Sequence, residues 1–191
     1  MPNHAWGFRL LDTLARLPLA APSLMSHHQR KELMRCARKG HVPRIKALLE
    51  SATEFEFVVE GAMSPLMTAA CAGHTEIVEL LLDAGASPNL TADDGASALH
   101  WAASNGHHDI VSLLVAAGAC VNARRESGPM PLHFAITHGH DAIAITLIEA
   151  GTSLDIQYLS RDIYAYVEWH GRHLVTQYLN QLPCRPTWIS R

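Results

Sequence analysis

Thirteen histidines in 191 residues are a generous supply of metal ligands and proton carriers, so their spacing decides whether either use is open. Zinc takes four N, S or O ligands in a tetrahedron. The chain has no H-E-x-x-H pattern and no C-x-x-C pair, and Cys36, Cys71, Cys120 and Cys184 follow no ligand spacing. Ser104, His107, His108 and Asp109 bring together the residue types of a hydrolase. Neighbouring positions on one turn, however, do not aim a nucleophile, a base and an orienting acid at one another. Gly95-Ala96-Ser97 lacks the second glycine of a nucleophile elbow, and no phosphate-cradling glycine loop occurs. These patterns argue against catalysis and against a bound metal or cofactor.

The histidines do follow another rule. Gly-His recurs at Gly40-His41, Gly73-His74, Gly106-His107 and Gly139-His140, each pair 33 residues after the last. A fixed period of this size marks one supersecondary unit copied end to end, each copy too small to bury its own apolar face. Within a copy, Ser64 or Ser97 can cap a helix, and Pro65 or Pro131 suits its first turn. Leu66, Ala69 and Ala70, like Leu99, Ala102 and Ala103, then share one face, and the small alanines admit a close neighbour. A second helix carries Ile77, Val78, Leu81 and Leu82, echoed at Ile110, Val111, Leu114 and Val115 and again at Ile143, Ala144, Leu147 and Ile148. Such short helices are marginal alone, so packing between copies must hold them.

The copies read SPLMTAACAGHTEIVELLLDAGASPN from Ser64, SALHWAASNGHHDIVSLLVAAGACVN from Ser97 and MPLHFAITHGHDAIAITLIEAGTSLD from Met130. This text resembles the ankyrin repeat, and the copy from Ser97 follows the family pattern most closely. The resemblance implies an all-α solenoid with short β-hairpin turns, built of stacked hairpin–helix–helix units. It divides the chain into an N-terminal extension (1–28), a capping repeat (29–59), three repeats (60–91, 92–124 and 125–157), a C-terminal cap (158–182) and a tail (183–191). Gly171 follows Gly139 by 32 residues, one short of the period. In the extension, Trp6, Leu10, Leu14 and Leu17 fit one face of a short amphipathic helix, and Met25 is a possible alternative start. Arg9, Asp12 and Arg16 interrupt any signal-peptide core there, and no apolar run is long enough to span a membrane.

Charge is distributed unevenly. From Ala47 to Ala123 there is no Lys or Arg, against ten acidic residues, while residues 1–46 hold nine basic groups and two acidic ones. The resemblance implies that partners are gripped by the finger tips and the exposed side of each first helix. By position these are Glu60, Met63, Asp93, Asp94 and Glu126 on the tips, and Cys71, Ser104, Asn105, Thr137 and His138 on the helices. Trp101 and Phe134 share one helix position, where core packing is expected. Glu60, Asp93, Asp94 and Glu126 favour a partner that is locally basic. The expectation is a monomeric, cytoplasmic, non-catalytic protein-binding module without cofactors or small-molecule substrate. One alternative is an inhibitor or antidote of a basic enzyme, or a secreted effector scaffold. Another is a nucleic-acid or membrane-surface adapter using Arg30, Lys31, Arg35, Arg38, Lys39, Arg44 and Lys46, although a pI near 6.5 disfavours a dedicated nucleic-acid binder. The six histidines of the repeat text, His41, His74, His107, His140, His100 and His133, are implied to be structural. His108, His138, His170 and His173 remain.

Overall fold

The computed structural model of the chain describes residues 25–51, 63–126, 128–155 and 158–182. Ten helices follow one another among these residues. They are α1 His27–Lys39, α2 Val42–Ser51, α3 Pro65–Ala72, α4 Thr75–Asp83, α5 Ala98–Asn105, α6 His108–Ala116, α7 Pro131–His138, α8 Asp141–Glu149, α9 Ile163–Trp169 and α10 His173–Gln181. They form five helix–turn–helix pairs. The first helices α1, α3, α5 and α7 pack in series, and so do the second helices α2, α4, α6, α8 and α10. The series of first helices loosens only at its end, where α9 lies much less closely against α7.

Local chemistry explains the segmentation. Met67 N–H donates to Ser64 Oγ at the start of α3, and Pro65 occupies the first turn. The expected apolar faces are inside: Leu66, Ala69, Ala70, Leu99, Ala102 and Ala103 are buried, as are Ile77, Val78, Leu81, Ile110, Val111 and Leu114. Leu82 and Val115 pack against this core while partly exposed. The core is therefore a strip running along the stack and filled equally by neighbouring copies.

Local contacts define two details of the array. The first copy starts before residue 29, because Ser26 and Gln29 form a reciprocal capping box (Gln29 N–H to Ser26 Oγ 3.2 Å, Ser26 N–H to Gln29 Oε1 2.9 Å). Met25 is buried with the core, so residues 25–28 belong to the repeat array. The hairpins are also minimal. Among the described residues they amount to two isolated bridges, Thr91 with Ser97 and Tyr158 with Arg161. The expected Trp6–Leu17 helix, Glu60 and Cys184 lie outside the described residues.

Candidate protein-binding surface

The surface rests on a base that is stapled from copy to copy. Gly106 ends α5 with φ +80°, a left-handed conformation that L side chains rarely adopt. Its missing side chain also makes room for the next copy, since a β-carbon there would lie 2.7 Å from the His140 ring. His140 uses that space to donate from Nε2 to the Ser104 carbonyl (3.2 Å). His107 makes the same bond to Cys71 O (3.2 Å), and His74 to Arg38 O (3.1 Å). The Gly-His period is thus a repeated joint: the glycine of one copy receives the histidine of the next. In the last copy Arg172 takes the place of the histidine and packs over Gly139.

A second staple lies at the other end of each copy. Asn89 donates to Gly118 O (3.0 Å) and accepts from Cys120 N–H (2.7 Å). Asn122 repeats this with Gly151 O (3.4 Å) and Ser153 N–H (2.8 Å). Sequence reasoning passed over these asparagines, although their 33-residue spacing was available as a signal.

His100 and His133 hold the starts of the first helices. Each ring accepts through Nδ1 from the N–H three residues before it, Ser97 N–H at 3.1 Å and Met130 N–H at 3.2 Å. Burial pushes both rings down to about 4, so they are neutral at physiological pH. With Nδ1 accepting, the proton sits on Nε2.

On this base the finger tips are not uniformly acidic. Asp94 forms an ion pair with Arg125 of the next finger. Burial alone would raise the Asp94 carboxyl, but the Ala96 N–H and Arg125 outweigh it and hold the acid below its ordinary range. The Arg125 guanidinium also lies over Trp101 (5.9 Å) and Phe134 (5.5 Å), within cation–π range. Trp101, which packs against the core while partly exposed, and the half-buried Phe134 thus wall an arginine. Glu126 is exposed with φ +32°, Asp93 is exposed, and Met63 is half-buried against the core.

The helix positions form a connected rim. Asn105 reaches back to Cys71 Sγ (3.7 Å) and to Trp101 O (2.9 Å). The Ser104 carbonyl is taken by His140. Thr137 Oγ1 donates to His133 O (2.8 Å) and shares a 2.6 Å hydrogen bond with Tyr166 OH. His138 hydrogen-bonds the Phe134 carbonyl through Nδ1 (2.9 Å) and stacks at 6.3 Å on His140.

The hydrolase-like run is dispersed by these joints. His107 is engaged with Cys71 O, His108 with Thr146 Oγ1 (3.0 Å), and the Asp109 side chain is 86% exposed. Among the described residues no three His, Cys, Asp or Glu side chains gather as metal ligands. Cys36, Cys71 and Cys120 are free thiols, and no described helix is long and apolar enough to cross a membrane.

Fold and surface together define a stacked repeat scaffold with one rim of side chains turned outward. The model of the ankyrin-repeat family (three copies) matches the chain over residues 10–92, 33–125 and 66–158, and the chain belongs to that family. Ankyrin repeats are generally protein–protein interaction modules. No curated protein matches the chain.

Proposed function

We propose that the chain is a non-catalytic module that binds another protein through its finger tips and first helices. The observation that carries this reading is the joint between copies. It fixes the rim from Cys71 and Asn105 to Thr137 and His138 in one rigid register, so binding orders little chain, and preorganised surfaces bind more tightly for a given area. The absence of Lys and Arg from Ala47 to Ala123 supports a partner with a locally basic face, met by the tip acids Glu60, Asp93, Asp94 and Glu126. Asp94 is ion-paired with Arg125 of the next finger. A cytoplasmic, monomeric binding protein, including one that masks a basic enzyme, fits this reading. The adapter alternative has less support, since Arg44 pairs with Glu32 and Lys46 with Glu76, leaving fewer cations for phosphates.

Affinity purification from the native host with the wild-type chain and the Asp93→Lys/Glu126→Lys double variant tests the proposal. Reversal of two rim charges acts chiefly on association and its salt dependence, so the partner should be recovered about tenfold less well with the variant at physiological salt. Equal recovery of the same partner by both chains contradicts the charge assignment.

A further inference from the structure

We infer that the seam between α7 and α9 is a second binding subsite, taking a partner peptide that presents an apolar or aromatic side chain beside a carboxylate. The inference rests on the chain being a protein-binding module and adds a contact of opposite polarity to the acidic tips. The seam exists because the last copy departs from the period. Where earlier fingers need a longer loop, residues 158–161 close in a two-residue turn, with Tyr158 N–H to Arg161 O at 2.9 Å and Arg161 N–H to Tyr158 O at 3.0 Å. The turn forces Leu159 and Ser160 to φ +53° and +60°. Asn or Gly normally fills such positions, and a leucine there is strained. The shortened finger accounts for the 32-residue step to Gly171, and it coincides with α9 standing off α7.

The opening is a cleft of about 260 Å³, walled by Phe134, His138, Tyr166, Trp169 and His170 with Leu159 on its lip. Only three large apolar side chains among the described residues are exposed, and two of them, Leu159 (55%) and Trp169 (56%), belong to this cleft. An aromatic-walled recess with exposed apolar edges is the arrangement that receives an anchor side chain. Its charge determines what flanks that anchor. Arg161 lies 4.3 Å over the Trp169 ring, and among the described residues no carboxylate is within ion-pair distance of it. A guanidinium packed against an aromatic ring still carries N–H donors that a carboxylate can accept from. A further donor lies in the cleft wall. His133 is buried and its Nε2 has no hydrogen-bond partner. The equivalent His100 Nε2 is likewise without a partner, but it is His133 that faces the cleft's Tyr158 and Tyr166 rings, at 4.8 and 5.2 Å. An oxygen of the bound peptide would satisfy that donor.

Panning a random peptide library displayed on phage against the full chain tests the proposal. Each selected peptide is then measured by titration against wild type and against Arg161→Gln, Trp169→Ala and Arg38→Gln, the last removing a distant cation. The expected peptides pair Leu, Phe, Tyr or Trp with an adjacent Asp or Glu. Their affinity should fall about tenfold or more in each seam variant, as loss of a hot-spot contact does, and stay unchanged with Arg38→Gln. Both seam residues are partly or largely exposed, so an unchanged melting temperature separates lost binding from lost folding. Several results overturn the seam: no enrichment, a selected motif without acids, or peptides indifferent to both seam variants. So does a single-stranded uridine oligonucleotide that binds more tightly than the peptides and loses binding in Trp169→Ala. If native-host purification still yields a partner sensitive to Asp93→Lys/Glu126→Lys, only the seam falls and the module reading stands.

Discussion

His100 and His133 show how a single residue can serve the fold and leave a mark on pH behaviour. Their Nδ1 atoms accept the backbone N–H at a helix start, and burial holds both rings near 4 instead of 6.5. The unfolded chain therefore binds more protons between these values. Stability contributed by the neutral rings is complete above about pH 6.5 and falls as pH drops toward 4, by about 1.4 kcal/mol per pH unit for each ring. Urea melts from pH 7 to pH 4.5 should show this loss, and His133→Gln should flatten it by about half. A wild-type stability constant across that window contradicts the assignment. The structural role of these histidines was legible from their place in the repeat text. The different surroundings of His133 were not, because they depend on aromatic rings 25 and 33 residues further along the chain. The neutralisation of Asp94 was likewise hidden: Arg125 is 31 positions away, and only the finger geometry shows that it crosses to the preceding tip.

At the scale of elements, the joint between glycine and histidine converts short helices into a stack. Gly106→Ala puts a β-carbon into a left-handed position 2.7 Å from the His140 ring. The backbone term costs about 1–2 kcal/mol, and displacing the ring adds the loss of its bond to Ser104 O. Chemical denaturation should show Gly106→Ala destabilised by about 2–3 kcal/mol. By contrast Gly85→Ala, where nothing lies within 4 Å of the added carbon, should cost only the backbone term. Equal costs at the two positions would show that the joint does not bear on stability. Helix positions and their buried faces were readable from the sequence because apolar spacing and caps repeat with the period. The start of the first helix is not legible in the repeat letters, because the Ser26–Gln29 box lies upstream of them. The opening between α7 and α9 was not anticipated, since a one-residue shortening of the period does not by itself say which turn absorbs it.

The whole molecule is a row of copies in which each buries its neighbour's face, so stability should be greatest where a copy has neighbours on both sides. α5 and α6 sit at the centre, with staples on each flank through His107 and His140 and through Asn89 and Asn122. The last copy is held by Arg172 over Gly139 and by looser packing of α9, which places the proposed seam at the most adaptable end of the array. Locally less stable segments are where binding elements that adjust are found. On the proposed reading, the acidic middle and Arg161 at the end of the array supply two contacts of opposite sign to a partner. Amide hydrogen exchange on the intact chain, followed by mass spectrometry, is the most direct test of this stacked arrangement. The account predicts that α3 to α8 exchange slowest and open together, with α5 and α6 the most protected, while α1 and α9–α10 open earlier. Protection highest in the terminal pairs, or rapid exchange in α5 and α6, would contradict it.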